Sequence, residues 1–206
     1  MKKIAFIGVA GLMVMAAAGI IVFRTIAAKE APARPALQVS PKAAKSLQEK
    51  IDAIKDAEDN PEHKRGSSRV ELSETELESY LLYSLKEDIP AQIDSADVQL
   101  AEDTVALDTQ ITFDQNATGN PMVDALVGGT HNLFVKGKLV AQQGRGKFDL
   151  LEVRVDSIPV PNVLINALIK RYVKPKYPDI DLNEPFDMPY GISDLKLEPR
   201  KATIVY

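Results

Sequence analysis

A chain of 206 residues with two histidines, no cysteine and no tryptophan has few side chains with which to do chemistry. Without thiols there is no disulfide, no thiolate nucleophile, no Cys-ligated zinc and no acylated lipoprotein cysteine. His63 lies in a polar, breaker-rich linker and reads as solvated, with no role. His131 follows Gly128, Gly129 and Thr130 at the start of a strand, where a hydrogen-bonded turn histidine is the simpler reading than a base or a ligand. Asp179, Asp181 and Asn183 imitate the first three ligands of a calcium loop. Glu184 then stands where that loop needs glycine, and Tyr190 where it needs a bidentate glutamate, so the match fails. There is no nucleophile elbow, phosphate-cradling loop, zinc-protease motif or dinucleotide fingerprint. No carboxylate pair stands out for glycoside chemistry. The expectation is a protein that is not an enzyme and needs neither metal nor cofactor.

What the chain has instead is apolar surface to place. Lys147 to Ile158 reads as a strand with apolar residues mostly at every second position, broken at Leu150-Leu151, where a one-residue slip is the signature of a β-bulge. Pro159 and Pro161 form a rigid corner. Beyond it Val163, Leu164, Ile165, Leu168, Ile169 and Tyr172 make a helical arc wider than a small domain usually buries. Such a strand and helix suit a domain that encloses something apolar. Lys170, Arg171, Lys174 and Lys176 cluster at the helix end. They suit either favourable charge at a helix C-terminus or contact with anionic lipid headgroups, at about 1 kcal/mol per cation.

The elements that would position this stretch follow in order. Residues 1–26 carry an uncharged run from Ile4 to Phe23 behind Lys2 and Lys3, as a helix roughly 30 Å long, the thickness of a bilayer core. An uncleaved anchor and a cleaved signal peptide are both open. Either way the remainder is expected outside the cytoplasm, held by one span in the cell (inner) membrane, or periplasmic or secreted after cleavage. Residues 27–69 read as a linker with an amphipathic helix near 41–58. Ser40 and Pro41 start that helix, and Ala44, Leu47, Ile51 and Ile54 form its thin seam, packed on the domain or frayed in solvent, a self-associating stalk being the less favoured alternative because three turns of seam are few for a coiled coil.

Residues 70–206 read as the folded domain. Ser73 and Glu76 have capping-box spacing at the start of a helix whose inner face is Leu77, Tyr80, Leu81 and Leu85. Strands follow at Ile93–Ala101 and Thr104–Phe113, joined at Glu102-Asp103. Val105, Leu107, Thr109, Ile111 and Phe113 share one face of the second, and Asp108, Gln110 and Thr112 the other. After a short apolar insert at Met122–Val127 come a strand at His131–Gln142, a turn at Gln143–Gly146 and the strand already described. A closing hairpin turns at Glu198–Lys201. Antiparallel strands with segregated helices make the class α+β. A net charge of -4 and the absence of a basic–aromatic interleave point away from nucleic acid.

The helix opened by Val70–Leu77, the meander, and Ile158-Pro159-Val160-Pro161 leading into an apolar helix resemble the bacterial LmeA/YceB-like lipid-binding proteins of the tubular lipid-binding (TULIP) group. The closing Met188–Ile192, Leu195–Leu197 and Ala202–Tyr206 are similar to their final hairpin, and the layout resembles the membrane-anchored YpmS-type proteins. The resemblance covers most of Val70–Tyr206. It implies a strongly bent antiparallel sheet wrapped around one or two helices, with an apolar groove for acyl chains and no catalytic residues to carry over. The lining it implies comprises Leu164, Ile165, Leu168 and Tyr172 with Val105, Leu107, Ile111, Leu133 and Val135. Leu77 and Leu81 face the same interior, and Lys170, Arg171 and Lys174 would meet headgroups. The expected function is non-enzymatic lipid binding in envelope lipid transport or maintenance, the partners being membrane lipid and the membrane itself. The alternative is a structural protein that docks to an envelope partner.

Overall fold

A computed structural model describes residues 38–85, 92–113, 129–163, 165 and 184–206. Ser40 opens the first helix, α1 (Pro41–Asp59), its hydroxyl accepting the amide of Ala43 while Pro41 occupies the first turn. The seam Ala44, Leu47, Ile51 and Ile54 is buried, so the helix is packed rather than frayed. Its partner is α2 (Glu74–Tyr83). Ser40 donates its amide to Ser79 Oγ, Tyr80 donates its hydroxyl to Gln48, and Lys50 Nζ reaches Glu76 at 2.5 Å. Leu47, Ile51 and Ile54 belong to one apolar cluster with Leu72, Ile192 and Ile204.

The breaker-rich stretch after α1 is pinned to the fold. Ser68 and Tyr206 exchange backbone hydrogen bonds at 3.0 Å, and Arg65 Nε donates to Gly191 O at 3.1 Å. His63 corrects the sequence reading: it is half-buried and its ring stacks on Tyr206 at 5.6 Å.

The first strand, β1 (Arg69–Ser73), runs straight into α2 through the expected capping box, Ser73 Oγ accepting from Glu76 N and Glu76 Oε2 from Ser73 N. The meander consists of β2 (Gln92–Ala101), β3 (Thr104–Phe113), β4 (Gly129–Gln142) and β5 (Arg145–Val155), each antiparallel to the next. Its two-residue turns use left-handed backbone at Asp103 (φ 54°), and at Gln143 and Gly144 (φ 53° and 76°), the paired signs of a type I′ hairpin. Two short strands, β6 (Ile158–Pro159) and β7 (Phe186–Asp187), lie on β5. β8 (Asp194–Glu198) and β9 (Lys201–Val205) close the chain, with β9 also pairing β1. The two halves meet where Ala141 of β4 pairs Leu195 of β8. β1, β6 and β7 are additions to the expected element order.

The slip at Leu150-Leu151 is a bulge: Lys136 pairs Glu152 and Gly137 pairs Leu150, leaving Leu151 unpaired and 53% exposed. On β3 Leu107, Thr109 and Ile111 face inward and Asp108 and Gln110 outward. Buried Thr109 is satisfied by donating its hydroxyl to Ser95 O. The described residues thus form a mostly antiparallel open sheet with two helices, an α+β fold. None of their helices is long and apolar enough to cross a membrane. The apolar run of Ile4–Phe23, the insert Met122–Val127 and most of the helix expected over 162–172 lie outside the described residues.

Candidate functional site

Strand alternation places the site. Val98 pairs Leu107 and Leu100 pairs Val105, so β2 and β3 present four apolar side chains to one face. Leu139 of β4 extends that wall. On the other half of the sheet Leu195 pairs Ile204, and Ala202 sits in register between Leu72 and Leu197. Across these faces lie Leu77, Tyr80 and Leu81 of α2. They leave an open apolar cavity of about 170 Å³, with Phe186, Met188 and Pro189 along another side. Ala202 is the small residue in that row of leucines, and its missing bulk is part of the space.

The Phe186–Pro189 segment is clamped in place. Gly146 pairs Phe186, and Met188 donates its amide to Gly144 O at 2.8 Å. A Cβ on Gly146 would stand 2.7 Å from Met188 Sδ and 2.8 Å from the Phe186 ring, so only glycine lets the segment come this close. Arg145 reinforces it, pairing with Asp187 at 3.4 Å and donating to Pro185 O.

α2 is held over the cavity by two carboxylates. Glu78 Oε1 accepts the amide of Val98 at 2.9 Å and Glu74 Oε1 that of Leu100 at 2.7 Å. Burial pushes Glu78 up to about 7, with the charges of Asp97 and Glu74 adding to it and the bond from Val98 opposing. Burial also raises Glu76, yet bonds from Lys50, Ser46 and Ser73 outweigh it and hold that carboxyl below the usual range.

Among the described residues the lining is made of aliphatic, aromatic, proline and methionine side chains, and the hydroxyl of Tyr80 donates to Gln48. A second cleft of about 320 Å³, on the outer face of β4 and β5, differs in kind. Its cations are paired: Lys138 with Asp103, Arg145 with Asp187, and Lys147 with Asp149. Its charge is internally neutralised.

Four of the expected lining residues, Leu77, Leu81, Val105 and Leu107, meet at the cavity. Ile111, Leu133, Val135 and Ile165 are buried in the same apolar cluster but do not line it. Leu164, Leu168, Tyr172, Lys170, Arg171 and Lys174 lie outside the described residues. The sequence reading missed the β8–β9 face and the Phe186–Pro189 segment. Alternation in Leu195–Leu197 and Ala202–Ile204 carried a signal for the first; nothing local marks the second.

His131 is a hydrogen-bonded strand residue near the start of β4 rather than a turn residue: its Nδ1 lies 2.8 Å from Asp156 Oδ2, and Asp156 Oδ1 accepts the amide of Asn132. Among the described residues no group of three or more His, Asp or Glu side chains could hold a metal ion. Compared with known proteins, the chain matches no family model and no curated protein.

Proposed function

We propose that the chain is a non-enzymatic, extracytoplasmic lipid-binding protein that holds the hydrocarbon of a phospholipid or similar amphiphile in the cavity beneath α2. The observation that carries this reading is the lining: among the described residues it comprises sixteen, none of them charged. Each buried methylene contributes about 0.8 kcal/mol, so hydrocarbon alone supplies affinity without a polar anchor. The bulge at Leu151 and the register shift between Ile93 and Ser95 favour the bent, tubular lipid-binding form of sheet. The run of Ile4–Phe23 behind Lys2 and Lys3 favours a tether in the cell membrane with the domain outside the cytoplasm. Lys170, Arg171 and Lys174 are suited to the headgroup side of such a membrane.

The test is native mass spectrometry of the full chain, purified in a bile-salt detergent that has no alkyl chain to compete. A co-purified lipid mass is expected. An empty protein that also takes up no fluorescent fatty acid would contradict the reading.

A structural envelope protein without a ligand is the second reading. The cavity's size favours it, since about 170 Å³ is below the roughly 300–1,000 Å³ of ordinary ligand pockets.

A further inference from the structure

Resting on the lipid-binding reading, we infer that the cavity is selective for single-chain amphiphiles, such as a fatty acid or a lysophospholipid, and grips only the end of the chain. An apolar protein cavity of about 150 Å³ admits benzene, so about 170 Å³ holds roughly six to eight carbons. A two-chain lipid would place one chain end in the cavity and leave the other in water, losing the burial that drives association. A single-chain ligand leaves only its headgroup outside.

The lining agrees with that division. Tyr80 spends its hydroxyl on Gln48, and Met188 offers only a weakly accepting thioether, so the described lining residues present no charged side chain to compete for the headgroup. The walls bound the space on the β5 and β9 sides. Phe186 and Met188 are wedged against Gly146 and cannot retreat toward β5, while Leu72 and Leu197 flank the dip at Ala202.

The experiment is a titration of the full chain in bile-salt detergent with 1-alkanols from butanol to dodecanol. Lysophosphatidylcholine and phosphatidylcholine with eight-carbon chains follow. The cavity-filled variants Ala202→Phe and Val105→Phe, in the same detergent, subtract partition into micelles. Affinity is expected to rise about fourfold per methylene and to level off near eight carbons. The one-chain phospholipid should bind at least as tightly as its two-chain counterpart. Continued gain through dodecanol, or a two-chain lipid bound more than tenfold tighter, would overturn the single-chain inference and leave lipid binding standing. No specific binding of any alkanol or lipid would overturn both.

Discussion

Glu78 accepts the backbone amide of Val98 on the outer edge of β2, and one helical turn away Glu74 does the same for Leu100. The geometry is a spacing match. Four residues of helix rise about 6 Å and two residues of strand about 6.8 Å, so carboxylates at i and i+4 meet amides at j+2 and j, the helix running opposite to the strand. α2 thereby covers the free edge of β2, which would otherwise present unpaired amides to other chains. The same contact keeps Leu77 and Leu81 over the cavity.

This contact makes stability depend on pH. Glu78 sits at about 7 in the fold against an ordinary value of 4.5. Between those values the folded state keeps a proton that the unfolded chain has released. Its contribution is therefore fully present below 4.5 and is lost as pH rises through 7. Glu78→Gln keeps an oxygen for Val98 and removes the ionisation. Thermal melts should show the variant more stable than wild type by about 1–3 kcal/mol at pH 8 and nearly equal to it at pH 4. The same difference at both values would refute the assignment.

Glu76 works in the opposite direction. Its carboxyl is held below the usual range, so the stability it contributes is present near neutrality and fades in acid. Glu76→Ala also removes the capping box and the Lys50 ion pair. A loss of about 1–2 kcal/mol at pH 7, shrinking at pH 3, is the outcome to look for by urea denaturation. A loss that stays constant with pH would count against it.

Gly137 lies under the Phe148 ring, and a Cβ there would come within 2.3 Å of it. Gly137→Ala should cost about 1–3 kcal/mol by overpacking, and Phe148→Leu should recover part of that in the double mutant. Additive losses in this cycle would mean that the two sites are not coupled.

α1 is part of the core, so Leu47→Ala, at a residue 1% exposed, should cost about 2–5 kcal/mol. Guanidinium unfolding measures this directly. A change under about 0.5 kcal/mol would mean that the helix stands apart from the domain.

Local chemistry was the legible part of this fold. Ser73 and Glu76 announced α2, Glu102-Asp103 and the glycine-containing Gln143–Gly146 announced two hairpins, the second turning more tightly at Gln143-Gly144, and the broken alternation at Leu150-Leu151 announced the bulge at Leu151. Pairings over long separations were not legible. Five-residue β1 carries too little pattern to name β9 as its partner, although the two are matched from Arg69–Val205 to Ser73–Lys201. Glu74 and Glu78 were missed because carboxylates on an inward stripe look like solvated positions until the strand edge they satisfy is known. The site was half legible for the same reason: the α2 and β3 walls follow from periodicity, whereas the Phe186–Pro189 wall depends on Gly144 and Gly146, some forty residues away in sequence.

The central claim is that hydrocarbon occupies the space beside Ala202. Its most direct measurement is uptake of a fluorescent fatty acid by wild type and by Ala202→Phe, with thermal melts confirming that both are folded. Wild type should bind saturably, and the filled variant should lose at least about tenfold in affinity, the equivalent of two or more methylenes displaced. Equal uptake by a folded Ala202→Phe protein would contradict the account.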